Sequence, residues 1–195
     1  ADKLRAELED AGAIFQSTMD SEAVMHLIAR EKGDLPQRIG AALRKVEGAY
    51  SLVFLADGKM VAARDPRGFR PLVLGQLGDA HVVASETCAL DLIDATYVRQ
   101  VKPGEVIVFE KGGMRSYTNL LGDAERHAHC IFEYIYFARP DSNVFGRDVY
   151  PIRKGFGRQL AIEHPVEADV VVPVPDSGVP AAIGYAQQSG IPFEM

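Results

Sequence analysis

CIFEYIYFARPDS, residues 130–142, divides the chain into two kinds of sequence. A thiol at Cys130, a lone carboxylate at Glu133 and four aromatics run into an Arg-Pro-Asp-Ser exit. Taken by itself the pattern reads as a buried aromatic strand. Its neighbours make it a seam between domains, because the hydrophobic period changes on either side of it.

Downstream, residues 149–164 place Ile152, Phe156, Leu160 and Ile162 at helical spacing. ADVVVPV, residues 168–174, is a continuous apolar run of the kind that forms a buried parallel strand. It meets PDSG and passes directly into a small-residue helix, 179–188, that ends at Gly190. Strand, loop and helix in this order are half of a doubly wound α/β domain.

Upstream, Leu4 and Leu8 predict a short amphipathic helix over 2–10. STMDSE follows, with Asp20 or Ser21 available to cap a helix over 22–30, and a second helix is predicted over 37–46. The period then becomes that of strands. AYSLVFL at 49–55 and KMVAA at 59–63 flank Asp57-Gly58, a strong hairpin signal. Further strands are predicted at 72–74, 81–84, 106–109 and 114–117, with a short helix at 88–93 between them. Residues 1 to about 122 therefore read as one α+β domain with a largely antiparallel sheet.

The composition, 47% hydrophobic and 25% charged, is that of a globular chain with enough apolar residues for a core. A net charge of -6 with scattered basic residues argues against a nucleic-acid surface. No apolar run reaches the roughly 18 residues a membrane span requires, and the acidic first residues are unlike a secretory signal. The expected setting is cytoplasmic. The two cysteines, Cys88 and Cys130, are too few for a disulfide framework. The helical start at Ala1 and the strand that begins at IPFEM suggest a piece of a longer chain.

Five places could carry chemistry. The PDSG loop sets backbone N–H groups and a hydroxyl at a helix N-terminus beyond a parallel strand, which suits a phosphate or pyrophosphate. Asp176 and Ser177 could share a hydrated Mg²⁺ with that anion. The plainer reading is that both merely cap the helix while Gly178 relieves the turn. Asp20 is likewise either a cap or, in a cleft, a partner for an ammonium group. RDPRGFRPL, 64–72, places three arginines around Asp65 and suggests a structural ion network. SETCALD, 85–91, resembles a capping box, with Ser85 or Thr87 as the cap and Cys88 in the core. Cys130 has no CxxC partner, and of His127 and His129 at most one shares its face in extended chain.

With RDPRGFRPL, SETCALD, CIFEYIYFARPDS and VPVPDSG taken together, the chain resembles glutamine phosphoribosylpyrophosphate amidotransferases over essentially all of its length. The RDP corner is shared with other class II glutamine amidotransferases. FEYIYFARPDS followed by the PDS loop is specific to this family. The resemblance implies an Ntn-hydrolase αββα sandwich, residues 1–124 being the C-terminal part of a glutaminase domain. Residues 125–195 would be the linker and the first part of a type I phosphoribosyltransferase fold. The implied reaction is glutamine plus PRPP to 5-phosphoribosylamine, glutamate and pyrophosphate, the first step of de novo purine synthesis.

Residue by residue, Asp20 resembles the carboxylate that holds the glutamine α-amino group. Asp176, Ser177 and Gly178 resemble the pyrophosphate loop, with Ser177 the position associated with Mg²⁺. Cys130 stands where cluster-bearing members supply one of four ligands to a [4Fe-4S] centre. The nucleophilic cysteine, the carboxylate-binding arginine and the oxyanion hole precede residue 1 in the family, and the acidic PRPP loop follows residue 195. No catalytic residue is therefore expected within the chain, and the chain alone is expected to be inactive. The resemblance further implies homo-oligomers and feedback by purine nucleotides, with neither nucleic acid nor membrane as partner. The alternative is a non-catalytic nucleotide-binding or scaffold module that keeps the fold.

Overall fold

A computed structural model describes residues 2–122 and 126–195. They form two compact units: Ala1–Phe69 with Lys102–Ala128, and Arg70–Val101 with His129–Met195. The expected boundary between residues 124 and 125 lies outside the described residues.

In the first unit three helices, α1 (Asp2–Asp10), α2 (Asp20–Arg30) and α3 (Leu35–Leu43), precede the sheet. Asp34 starts α3 with a full capping box: its carboxylate accepts from Gln37 N at 3.0 Å while the Gln37 side chain accepts from Asp34 N. Such reciprocal bonds satisfy two donors that a helix start leaves open. Strands β1 (Ser51–Ala56) and β2 (Lys59–Arg64) pair through Asp57-Gly58. Both turn residues have positive φ, 54° and 71°, as the expected two-residue hairpin requires.

Two later strands complete an antiparallel sheet in the order β1, β2, then Val106–Glu110, then Gly113–Tyr117. Alternate residues Val61, Ala63, Val106 and Val108 point to one face, where they join Leu27, Ile39 and Leu43 of α2 and α3 in the core. The predicted helix pair on one side of a sheet is what forms, because apolar residues at spacing two and at spacing three or four meet across that layer.

The second unit holds an antiparallel sheet in which β3 (Val73–Leu77) lies between β4 (Ala80–Ala84) and β5 (Thr96–Gln100). The strands Val106–Glu110 and Gly113–Tyr117 of the first unit are thus β6 and β7 in chain order. Helix α4 (Cys88–Asp91) buries Cys88 and Leu90 as expected. Leu90 packs on Gly75, where a Cβ would come within 2.6 Å of the leucine's methyl carbon. The capping box predicted for SETCALD is not formed. Thr87 occupies the N-cap position in α-helical geometry, and its hydroxyl accepts from Asn143 N instead.

Two further expectations are corrected here. The aromatic stretch is no buried strand: Glu133–Phe137 is a single π-helical turn, and Phe132, Ile135, Tyr136 and Phe137 are about half exposed. Residues 168–174 form no continuous strand. Only Val171 bridges, in parallel, to Phe193, and Val172 and Val174 are exposed. An apolar run becomes a buried parallel strand only between neighbours that bond both its edges, and among the described residues Val171 has a bridge on one side.

A two-residue hairpin, β8 (Asn143–Val144) and β9 (Arg147–Asp148), leads into α5 (Val149–Glu163), and α6 (Val179–Ser189) closes the chain's last helix. Gly190 ends α6 at φ 77°, a left-handed C-terminal position that favours glycine. No helix among the described residues is long and apolar enough to cross a membrane.

Candidate functional site

Asp20 is the first residue of α2, and it is exposed. Met19, not Asp20 or Ser21, takes the N-cap position, and no side chain caps this helix. The cap reading of Asp20 is thus not realised, and its carboxylate stands at the start of a helix whose dipole favours negative charge there.

The loop before it is built by a residue the sequence reading passed over. Glu22 accepts from Gln16 N at 2.7 Å, Ser17 N at 2.8 Å and Ser17 Oγ at 2.6 Å. These bonds hold its carboxyl below the usual carboxylate range, the Ser17 hydroxyl first and the Gln16 amide next. Arg5 donates to Ser17 O at 2.7 Å from the other side. Residues Ser17, Met19, Ser21 and Met25 line an open groove of about 430 Å³ with Val53 and Phe54 of β1. Asp20 lies between Met19 and Ser21 in sequence but is not itself among the residues that line the groove. The signal for Glu22 was present as an acid three residues after the N-cap, although it reaches into the preceding loop rather than to the cap itself.

In the second unit, Asp176, Ser177 and Gly178 lead into α6. The Pro175–Asp176 peptide is cis. Gly178 N donates to Val174 O at 3.1 Å, and Val179 N to Asp176 O at 3.3 Å. A Cβ on Gly178 would lie 2.6 Å from Val174 O, so the tight return needs glycine there. No side chain caps α6. The Asp176 carboxylate and the Ser177 hydroxyl therefore do not act as the caps the plainer reading assigned. They are two hard oxygen donors at a helix N-terminus, which fits a Mg²⁺ that retains waters and shares an anion's oxygens.

Cys130 is a free, partly exposed thiol, and its carbonyl accepts from Glu133 N. Cys88 is buried, and burial first of all pushes its thiol pKa up, as expected of an inert core cysteine. Among the described residues no group of three or more His, Cys, Asp or Glu could hold a metal ion. A [4Fe-4S] centre takes four thiolates, so these residues do not by themselves fit one. His129 is stacked on Phe145 at 4.1 Å.

The RDP corner is structural, as expected, and the Asp65 charge acts on the neighbouring Arg64 guanidinium. Asp65 and Arg64 are both buried. The Asp65 carboxylate accepts from the backbone N–H groups of Arg67 and Phe69, and Arg64 donates to Gly68 O at 2.9 Å. Arg70 Nη1 lies 3.0 Å from Glu133 Oε1.

Glu86 is the other unanticipated carboxylate. It accepts from Arg139 N at 2.8 Å and from the Ser142 hydroxyl at 2.7 Å, and so fixes the Arg-Pro-Asp-Ser exit. Asp20 lies in the first unit, whereas Cys130 and the PDSG loop lie in the second.

Residues 1–92 match a glutamine amidotransferase domain family. The chain is 55% identical over 194 residues to amidophosphoribosyltransferase 1, chloroplastic, of Arabidopsis thaliana, covering 98% of this chain and 34% of the relative. It is 46% identical to amidophosphoribosyltransferase of Bacillus subtilis (strain 168), covering 100% and 41%. Among solved structures, the glutamine phosphoribosylpyrophosphate amidotransferase of B. subtilis complexed with ADP and GMP matches with a TM-score of 0.92 at 46% identity, covering 100% of this chain and 42% of that one. The chain thus spans well under half the length of these relatives.

Proposed function

We propose that this chain is part of an enzyme that converts glutamine and PRPP to 5-phosphoribosylamine, glutamate and pyrophosphate, the first step of de novo purine synthesis. The observation that carries the reading is similarity near half identity over 98–100% of the chain to proteins named for this reaction. Residues 1–124 are proposed as the C-terminal part of a glutaminase domain and 125–195 as the linker and the beginning of a type I phosphoribosyltransferase fold.

In this reading Asp20, next in sequence to groove-lining Met19 and Ser21, pairs with the α-amino group of glutamine. The groove orients the substrate, and none of the residues proposed here is the nucleophile. At the other site the amides at the start of α6 and the Ser177 hydroxyl hold the pyrophosphate of PRPP. Charge that develops on the leaving pyrophosphate is then stabilised by donors already in place. Mg²⁺, when bound by Asp176 and Ser177, would add neutralisation of that charge. Cys130 is proposed as a single ligand toward a cluster whose other thiolates come from elsewhere in a longer polypeptide. Purine nucleotides as regulators, a homo-oligomer and a cytoplasmic setting belong to the same proposal.

The test is an assay of a longer polypeptide containing this chain for PRPP-dependent release of glutamate and pyrophosphate from glutamine. Turnover is expected, and its absence with both glutamine and ammonia as nitrogen donors would favour the non-catalytic module. The 195-residue chain assayed alone is expected to show no glutaminase turnover.

A further inference from the structure

The loop that leads into α2 is enclosed by a circuit of side chains, all of them in the first unit. Arg5 of α1 donates through Nε to Glu9 at 2.9 Å, an i,i+4 pair on one helix face, and through Nη1 to Ser17 O at 2.7 Å. Its guanidinium carbon lies 4.1 Å from the centre of the Phe15 ring. Phe15 in turn packs on His26 of α2, with ring centres 4.5 Å apart, and His26 Nε2 lies 3.9 Å from Glu22 Oε1. Glu22 closes the circuit at Ser17, whose N–H and hydroxyl both donate to its carboxylate.

Taken singly each contact is weak, because exposed ion pairs compete with water and with side-chain entropy. A planar guanidinium makes three of them with one group, its edges on two acceptors and its face on an aromatic ring. The loop relies on such contacts, since the N–H groups of Gln16 and Ser17 both go to a side chain, that of Glu22. One further bond carries the arrangement to the start of α2. The Ser17 hydroxyl accepts from Met19 N at 3.2 Å, and Met19 is the N-cap residue directly before Asp20. Glu22 N donates to Met19 O at 3.1 Å within the first turn. The direction in which the chain enters α2 at Asp20 is thereby set from the loop and from α1.

We propose that Arg5 is a positioning residue for glutamine: through Ser17 and Met19 it holds the first turn of α2, and with it the Asp20 carboxylate, in the orientation that receives the α-amino group. This rests on the reading of Asp20 given above. Arg5 touches no reacting atom. Its loss therefore weakens glutamine binding and leaves the later use of nitrogen unchanged.

The experiment uses the longer polypeptide and measures KM and kcat for glutamine hydrolysis, together with synthesis from added ammonium chloride. Wild type and Asp20→Asn are compared first. If wild type makes no phosphoribosylamine from either nitrogen source, the functional reading fails. If wild type is active and Asp20→Asn keeps its KM for glutamine, the role of Asp20 fails, and the inference falls in both cases. Where Asp20→Asn raises KM, Arg5→Ala is expected to raise it about tenfold, the low end of what one hydrogen bond to a charged group is worth. Its kcat and its ammonia-dependent synthesis are expected to stay within about twofold, the pattern of lost uniform binding.

Arg5→Lys, which keeps one donor for Ser17 O, should recover part of the loss. Ser17→Ala tests the route, because it removes the hydroxyl that joins this loop to Met19 N. Combined with Arg5→Ala it should raise KM no further than the larger single change, as residues acting in series do. Effects that multiply would show the two acting separately and overturn the inference. An Arg5→Ala protein with unchanged KM overturns it as well. So does one whose ammonia-dependent synthesis falls together with its use of glutamine, which would leave Arg5 a purely structural residue.

Discussion

Gly157 of α5 stands directly against the carbonyl of Ala181 in α6, so that a Cβ added to it would overlap that oxygen. Gly184 of α6 meets Lys154 O of α5 in the same way. The two helices approach backbone to backbone, each presenting a glycine to the other. Small residues at a crossing allow this, and any side chain there must push the helices apart.

Gly157→Ala is therefore expected to destabilise the protein by about 1–3 kcal/mol, the usual cost of overpacking a tight contact. Gly155→Ala, two residues earlier on the same helix, meets nothing within 4 Å. It should stabilise by about 0.5–1 kcal/mol through helix propensity. Denaturant unfolding of both variants checks the pair, and equal effects in one direction would contradict the crossing.

Glu22 links stability to acid pH. Its folded pKa is depressed, so the stability it contributes is present above its unfolded value of about 4.3 and is lost as pH falls through the lower folded value. Glu22→Gln should flatten the acid limb of a stability–pH curve in that window. In an active longer polypeptide it should also raise KM for glutamine by disordering the loop before Asp20, while ammonia-dependent synthesis is unchanged.

Much of the first unit was legible because its signals are local. Asp57-Gly58 specifies its turn by two positive φ angles, and Asp34 with Gln37 specifies a helix start within four positions. What was not legible depends on partners far along the chain. Glu86 binds Arg139 and Ser142 across more than fifty positions, and Arg70 meets Glu133 across a similar distance. No periodicity records such pairs. Strand β5 was missed because Thr96, Tyr97 and Val98 are exposed and Arg99 interrupts the apolar pattern. The run 168–174 was overread because apolar character alone does not state whether partners flank it. For the candidate site, the motifs located Asp20 and the PDSG loop, but not the carboxylate of Glu22 that shapes the approach to Asp20.

Glu133 should show the opposite pH behaviour to Glu22. Burial raises its folded pKa, Arg70 opposes the rise and the neighbouring Glu86 charge adds to it. A raised carboxyl pKa gives stability that is complete below the unfolded value, about 4.3, and is lost as pH rises through the folded value. Wild type should therefore lose stability relative to Glu133→Gln as pH rises through that window, because glutamine does not ionise. Unfolding midpoints of the two proteins measured from acid to neutral pH provide the check. A difference that does not change with pH would show that Glu133 is ionised alike in folded and unfolded chains.

Ser177→Ala separates the two readings of the PDSG loop. If the hydroxyl capped α6, its removal would cost about 1 kcal/mol, the typical worth of a serine cap. No side chain caps α6, so stability should change by no more than about 0.5 kcal/mol, as at an ordinary surface position. The functional effect should be separate and larger. With one of the proposed pyrophosphate donors gone, KM for PRPP in the longer polypeptide should rise while glutamine hydrolysis is unaffected. Gly178→Ala provides the contrast, because its Cβ would press on Val174 O and reshape the loop itself. It should lower both stability and PRPP use. A Ser177→Ala protein that loses stability but keeps its KM for PRPP would assign this hydroxyl to the helix and remove it from the proposed site.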